Sequence, residues 1–136
     1  MREIFVDTGA WIAVADPRDK FYRAAAEIYP QHLKSYDHLV TTNLVMAETY
    51  SLAMYRVGYQ TAIKLLKLIR GSSRILQVYT TPRLDEIAFE ILEKYDDQAF
   101  SFVDAASFAV MQDRAISTAF AYDKHFRVMG FQLENR

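Results

Sequence analysis

Four acidic residues of this chain have chiefly apolar neighbours, which sets them apart from the rest of its seventeen acids. They are Asp7, Glu48, Asp104 and Asp123. A carboxylate among core-forming residues is costly unless its charge is compensated. Carboxylates that share one pocket repel each other and are driven to protonate, so a hard divalent cation such as Mg²⁺ or Mn²⁺ is the natural compensation. Such an ion can activate water and stabilise the charge that develops on a phosphate, so the pattern favours phosphodiester hydrolysis.

Each of these acids, taken alone, also has a structural interpretation. Asp7 could cap the helix that follows the first strand, and Glu48 could face solvent. Asp104 could complete a capping box with Ser101, where the helix N-terminus favours its charge. Asp123 could be a turn residue. Only the joint arrangement of the four favours a shared site.

Two polar neighbours are supporting candidates. The Thr8 hydroxyl could hold Asp7 or contact a phosphate, and a local turn hydrogen bond is its simpler role. Asn43 could position the helix that carries Glu48, and capping that helix is its simpler role, although Thr42 could provide the cap instead.

Strands alternate with helices along the whole chain, which predicts an α/β domain with a mostly parallel central sheet of four or five strands flanked by helices. The predicted strands are residues 4–6, 39–41, 75–79, 116–122 and 131–133. Pro30 is expected to break or restart the helix that follows Asp19. Because no repeat, linker or low-complexity tract divides the chain, residues 1–136 are expected to form one domain.

This order of elements predicts where the four acids lie. Asp7 and Asp123 fall where predicted strands end, and Glu48 and Asp104 fall in the first turn or two of helices. In a parallel sheet the carboxyl ends of strands and the starts of the following helices share one edge. All four carboxylates could therefore converge on one pocket.

Composition excludes several other kinds of site and partner. The chain has no cysteine and three histidines, so thiolate centres are impossible and any metal would be held mainly by oxygen. Sixteen Lys and Arg stand against seventeen Asp and Glu, which excludes a strongly basic nucleic-acid-coating protein. No apolar run approaches the length of a membrane helix and no signal-peptide pattern is visible, so we expect a cytoplasmic protein with no membrane partner.

Four segments, in order and with compatible spacing, resemble the PIN-domain proteins, and most closely the VapC toxins of type II toxin–antitoxin systems. The segments are residues 5–11 (FVDTGAW), 42–49 (TNLVMAET), 100–108 (FSFVDAASF) and 119–126 (AFAYDKHF). The resemblance implies a three-layer fold and a metal-dependent ribonuclease. Its acidic site would be Asp7, Glu48, Asp104 and Asp123, of which Asp123 matches the most variable position. It also implies a frequent homodimer and an antitoxin that wraps the toxin and blocks the site.

The expected activity is therefore an endoribonuclease that uses Mg²⁺ or Mn²⁺ to activate a water molecule. Because water rather than the RNA 2′-hydroxyl would be the nucleophile, the products should carry a 5′-phosphate and a 3′-hydroxyl. A PIN-domain nuclease of RNA processing, without an antitoxin, is the nearest alternative. A haloacid-dehalogenase-type phosphatase would need a second acid where Gly9 stands. A receiver-like Mg²⁺-binding signalling module would need an acid at the third strand, where residues 77–81 have none.

RNA binding also requires positive charge near the pocket. A basic stripe is one candidate, with a solvated helix face as the simpler alternative; it comprises Lys64, Lys67, Arg70 and Arg74. Lys124 and His125 follow Asp123 and could touch phosphate, although a surface turn explains them equally well.

Overall fold

Residues 1–135 are described by a computed structural model of the chain. Within them, five strands form one sheet. They are β1 (Glu3–Val6), β2 (His38–Thr42), β3 (Ile75–Val78), β4 (Thr118–Phe120) and β5 (Gln132–Leu133). Every neighbouring pair is parallel, which confirms the predicted α/β class.

Seven helices connect and flank these strands within the same residues. They are α1 (Thr8–Ala15), α2 (Tyr22–Ser35), α3 (Asn43–Val57), α4 (Tyr59–Gly71), α5 (Pro82–Lys94), α6 (Phe102–Asp113) and α7 (His125–Val128). None of them, in the part of the chain that is described, combines the length and the apolar character that crossing a membrane requires.

The strand order creates a crevice beside β1. The sheet runs β3-β2-β1-β4-β5, so the chain moves outward from β1 in one direction and later returns to its other side. Ligands of open parallel sheets bind at the carboxyl ends of the strands, at such a switch in strand order. The carboxyl ends of β1 and β4 are joined there, because the Asp7 N–H donates to the Phe120 carbonyl at 3.1 Å. Asp7, which follows β1, and Asp123, which follows β4, therefore both lie after strands whose ends border this crevice.

The central strand of the sheet, β1, lies in the hydrophobic core. Ile4, Phe5 and Val6 are fully buried. Large buried aromatic residues cover the same region; they include Trp11, Phe108, Phe120 and Phe126. The part of a strand that is paired on both edges and covered by helices must be apolar, as residues 4–6 of β1 are. The first polar side chain after it therefore emerges at the edge of a desolvated core.

One expectation about the helices is wrong. Pro30 does not break α2, which continues through it to Ser35. A proline removes only its own N–H from the helix ladder and leaves the carbonyl four residues earlier, that of Ala26, without its donor. Both Pro30 and Ala26 are exposed, so water can solvate the freed carbonyl. The buried Ala25, Ile28 and His32 on the opposite face hold the helix together across the proline.

Candidate active site

Asp7 occupies a helix-capping position without performing the capping function. It is the N-cap residue of α1, with extended backbone angles, and its side chain makes no cap hydrogen bond. The residue is only 5% exposed. Its Oδ1 atom is buried and finds no hydrogen-bond partner among the described residues. A buried carboxylate oxygen without a donor is costly, which indicates that something outside the chain compensates it.

The electrostatic surroundings of Asp7 make ionisation harder still. Burial raises the pKa of the Asp7 carboxyl from 3.8 to about 7, an effect that the neighbouring Thr8 backbone N–H partly opposes. The negative charges of Asp104, Glu48 and Asp123 raise the same pKa further. Each of these acids is therefore close enough to act on Asp7 through space. The donor atoms that lie within 4.8 Å of one another belong to Asp104, Asp123 and His125, so Asp7 and Glu48 are linked to the other acids by these charges and are not part of that close group.

Asp104 has the capping role that was considered for it. It is the third residue of α6, and its N–H donates to the Ser101 hydroxyl at 3.0 Å while its Oδ2 accepts from the Ser101 N–H at 3.1 Å. This reciprocal pair is the predicted capping box, with aspartate in place of the usual glutamate. The cap fixes the carboxylate at the positive end of α6, with its Oδ2 3.3 Å from His125 Nδ1.

Glu48 lies on α3, about one and a half turns after that helix begins. It is an exposed residue, as the solvent-facing interpretation expects, and its charge nevertheless acts on Asp7. Thr42 is the N-cap of α3, because its hydroxyl accepts from the Val45 N–H at 3.0 Å. The start of α3, and with it the position of Glu48, is set by this cap.

Asn43 is not the cap of α3 that the simpler interpretation expects. It is the first residue of the helix, and its Oδ1 accepts from the Thr80 N–H at 2.9 Å. This hydrogen bond ties α3 to the segment that follows β3. Asn43 therefore positions the helix of Glu48 rather than capping it.

Thr8 does not make the local turn hydrogen bond considered for it. The residue is 4% exposed, and its Oγ1 is buried without a hydrogen-bond partner among residues 1–135. Two consecutive residues at the end of β1, Asp7 and Thr8, therefore each carry an unsatisfied buried oxygen. Both features are typical of a site that is completed by a ligand.

Asp123 brings a second residue into the site. Its Oδ1 accepts from the His125 N–H at 2.9 Å, which forms the turn that the structural interpretation expects. The imidazole of His125 lies over the acids, with Nδ1 3.3 Å from Asp104 Oδ2 and 3.4 Å from Asp123 Oδ1. Sequence reasoning offered His125 only as a phosphate contact or a turn residue. The two-residue spacing from Asp123 was the signal that an Asp-anchored turn would return its side chain to the site.

The residues present fit a hard divalent cation. Carboxylate oxygens dominate the donor set, and one of them is buried without a partner. Asp104, Asp123 and His125 each offer one ligand atom, and these atoms lie within 4.8 Å of one another. A cation in this crevice would compensate the charges that raise the pKa of Asp7.

Only three of the four residues predicted to form the basic stripe lie on one helix. Lys64, Lys67 and Arg70 lie on α4, which ends at Gly71. The Arg74 guanidinium instead donates to the carbonyls of Leu33 and Tyr36 and joins the end of α2 to the start of β3. Arg74 therefore has a structural role, because the break after Gly71 ends the helical spacing that the stripe assumed.

Comparison with known proteins places the chain among nucleases of one fold. Residues 4–132 match the PIN domain family. The chain is 35% identical over 128 residues to the 23S rRNA-specific endonuclease VapC20 of Mycobacterium tuberculosis, a match that covers 94% of this chain and 95% of VapC20. It is 30% identical over 111 residues to the ribonuclease VapC26 of the same organism, covering 82% of this chain and 78% of VapC26.

Solved structures agree with these relatives. The crystal structure of M. tuberculosis VapC20, a Sarcin-Ricin loop cleaving toxin, matches with a TM-score of 0.87 and 34% identity, over 94% of this chain and 95% of that one. VapBC-1 from nontypeable Haemophilus influenzae matches with a TM-score of 0.68 and 18% identity, covering 98% of this chain and 97% of that one. At that identity the second match speaks for the fold alone.

Proposed function

The chain belongs to the PIN-domain family, and on that premise we propose that it is a divalent-metal-dependent endoribonuclease of VapC type, the toxin of a toxin–antitoxin pair. Its relatives VapC20 and VapC26 are named as an endonuclease and a ribonuclease. The match to VapC20 spans nearly the whole of both chains, so the proposal concerns the entire domain.

The observation that carries the proposal is the state of Asp7. Its carboxylate is buried and has an unpartnered oxygen, and the charges of three other acids raise its pKa. A protein gains nothing in stability from such an arrangement, since each feature raises the cost of ionising Asp7. A bound cation removes that cost, and PIN-domain nucleases are generally metal-dependent.

The residues have separate tasks in this proposal. Asp7, Glu48 and Asp104 hold Mg²⁺ or Mn²⁺, and Asp123 completes the shell or orients the attacking water. The ion, when bound, activates water and stabilises the charge that develops on the phosphate. The capping box fixes Asp104 at the start of α6, and the Asn43–Thr80 hydrogen bond holds the helix of Glu48 in place.

Metal removal tests the proposal directly. We expect RNA cleavage to stop in excess EDTA and to return when Mg²⁺ or Mn²⁺ exceeds the chelator, with products that carry a 5′-phosphate and a 3′-hydroxyl. The products can be resolved on sequencing gels, with their ends identified by phosphatase and ligase treatment. Circular dichroism in the same buffers separates loss of the ion from unfolding. Undiminished cleavage by protein verified to be metal-free would overturn the proposal.

The substrate we propose is a single-stranded loop of large-subunit ribosomal RNA. The support is the identity to VapC20, which is named for 23S rRNA and described as cleaving the Sarcin-Ricin loop. Beside α3, a cavity of about 370 Å³ is lined in part by Asn43, Tyr50, Arg70 and Tyr79. Aromatic faces, an arginine and an amide are the groups that bind unpaired bases in loops.

Mapping the cleavage ends tests this substrate. When the protein is incubated with intact ribosomes, we expect one dominant new 5′ end in the large-subunit rRNA, located in the Sarcin-Ricin loop. Isolated messenger RNA should be cut at least about tenfold more slowly. Equal cleavage of many unrelated RNAs would contradict the substrate assignment and leave the nuclease proposal standing.

Two partners belong to the same proposal. An antitoxin is expected because VapC20 is described as a toxin, and toxins of this resemblance are blocked by a cognate protein. A homodimer is supported by exposed apolar side chains at the junction of α3 and α4, which include Met54, Tyr55 and Tyr59. The cytoplasm, where ribosomes lie, is the compartment that the activity requires.

A further inference from the structure

His125 is held more firmly than a surface turn requires. Its ring is T-shaped against Phe100, with centroids 5.0 Å apart, and its side chain is 25% exposed. Its backbone N–H is fixed by Asp123 Oδ1 at 2.9 Å. These contacts leave Nδ1 directed at two carboxylates from different elements, one at the start of α6 and one after β4.

The distances from Nδ1 are long for hydrogen bonds to carboxylates. Charge-assisted N–H···O⁻ bonds are about 2.7–2.9 Å long. Here the two separations are 3.3 Å to Asp104 Oδ2 and 3.4 Å to Asp123 Oδ1. Both oxygens already accept a backbone N–H, from Ser101 and from His125 itself. A hydrogen bond from His125 to either carboxylate would therefore be long, and each of these oxygens already has another donor.

The same distances suit neighbouring ligands of one ion. Two donor atoms that lie side by side on an octahedral cation, each about 2.1 Å from it, are about 3 Å apart. The ligand atoms of Asp104, Asp123 and His125 all lie within 4.8 Å of one another. A small inward adjustment of side chains would bring them to that spacing.

A separate feature points to a ligand at the same place. Asp7 Oδ1 is buried and has no hydrogen-bond partner among the described residues. The Asp7 N–H donates to the carbonyl of Phe120 at 3.1 Å, which places Asp7 beside the end of β4, the strand that leads to Asp123. The unsatisfied oxygen of Asp7 and the Asp123–His125 pair therefore follow two neighbouring strands of the sheet, β1 and β4.

We propose that His125 is a direct ligand, through Nδ1, of the divalent cation held by Asp104 and Asp123, so that the site has a mixed nitrogen and oxygen donor set. This proposal rests on the metal site of the proposed function. Imidazole favours transition metals, whereas Mg²⁺ prefers oxygen ligands alone. The histidine therefore makes this a site with a strong preference for Mn²⁺ over Mg²⁺. It requires Nδ1 to be unprotonated when the ion binds, with the ring proton on Nε2.

The test uses Mn²⁺ as the probe and reads its ligands spectroscopically. Full-length wild-type protein, His125→Asn and His38→Asn are titrated with Mn²⁺ by electron paramagnetic resonance, and Mg²⁺ is then added in competition. Pulsed measurements on the Mn²⁺ complexes detect directly bound nitrogen. His38 is a matched control, because its Nδ1 also lies 3.3 Å from a carboxylate, that of Glu3, and its side chain is 31% exposed.

The wild-type complex should show a nitrogen coupling that changes when histidine is labelled with ¹⁵N, which needs no variant. His125→Asn should lose that coupling, bind Mn²⁺ at least about tenfold more weakly and discriminate less between Mn²⁺ and Mg²⁺. His38→Asn should match the wild type in all three respects. Circular dichroism of each variant verifies its fold.

Bound Mn²⁺ without any nitrogen coupling in the wild type would overturn the assignment of His125. In that case metal-dependent cleavage would persist, and the proposed function would survive. If the wild-type protein bound no Mn²⁺ and cleaved RNA in excess EDTA, the proposed function would fail as well.

Discussion

Replacing Asp7 with asparagine will abolish RNA cleavage and at the same time stabilise the metal-free protein at pH 8. Cleavage should fall by about a thousandfold or more, because an amide cannot supply the charge that holds the ion. Stability should rise because burial and three neighbouring charges raise the pKa of Asp7 from 3.8 to about 7. A difference of that size corresponds to at most about 4 kcal/mol of unfolding free energy.

The pH dependence of stability gives this prediction its sign. A carboxyl whose pKa is raised in the folded state ionises first in the unfolded state, so the folded state loses stability as pH rises from about 4 to about 7. Above about pH 7 the loss is complete. In EDTA, the urea midpoint of the wild type should therefore fall across this window, and that of Asp7→Asn should fall less.

Asp16 provides the matched control for Asp7. It is 4% exposed, against 5% for Asp7, and lies at the opposite end of the same helix, α1. Its Oδ1 accepts the Arg18 N–H at 3.0 Å, so its carboxylate is satisfied within the chain. Asp16→Asn should leave cleavage unchanged and should not stabilise the protein. An active Asp7→Asn protein, or one less stable than the wild type in EDTA at pH 8, would contradict the role given to Asp7.

Asp104→Asn and Ser101→Ala should separate the two roles of Asp104, which are to cap α6 and to supply charge near the ion. The asparagine retains an oxygen that can accept the Ser101 N–H, so stability should change by less than about 1 kcal/mol. Cleavage should nevertheless fall about a thousandfold, because the charge near the ion is lost. Ser101→Ala removes the cap hydroxyl and should cost about 1 kcal/mol of unfolding free energy while cleavage stays within about tenfold of wild type.

Denaturant unfolding and initial cleavage rates on the same protein samples measure both effects. The opposite pattern, with Ser101→Ala inactive and Asp104→Asn active, would show that the cap rather than the carboxylate matters for cleavage. Wild-type cleavage by Asp104→Asn would show that the Asp104 charge has no task beyond capping.

Much of the site was predictable from sequence because it depends on the order of elements. Asp7 ends an apolar strand and Asp104 opens a helix, and a parallel sheet brings such positions to one edge. The capping box was also readable, since Ser101 and Asp104 have the spacing that a reciprocal cap requires. These features depend on local chemistry and topology, both of which the sequence carries directly.

Other features depended on packing that no local pattern encodes. The buried face of α2 outweighs the helix-breaking tendency of Pro30. The Asn43 side chain bonds across to Thr80, a residue 37 positions away, instead of capping its own helix. His125 faces Asp104, which lies 21 residues earlier in the chain, only because the segment after β4 returns to the start of α6.

The most direct test of the central claim is the position of a bound ion. Crystals of the protein grown with Mn²⁺ and measured at the manganese edge should show an anomalous peak within about 2.5 Å of carboxylate oxygens of Asp7 and Asp104. The result predicted here is one or more peaks in that crevice, absent from crystals of Asp7→Asn. A crevice without a peak, at a Mn²⁺ concentration that supports cleavage, would contradict the account.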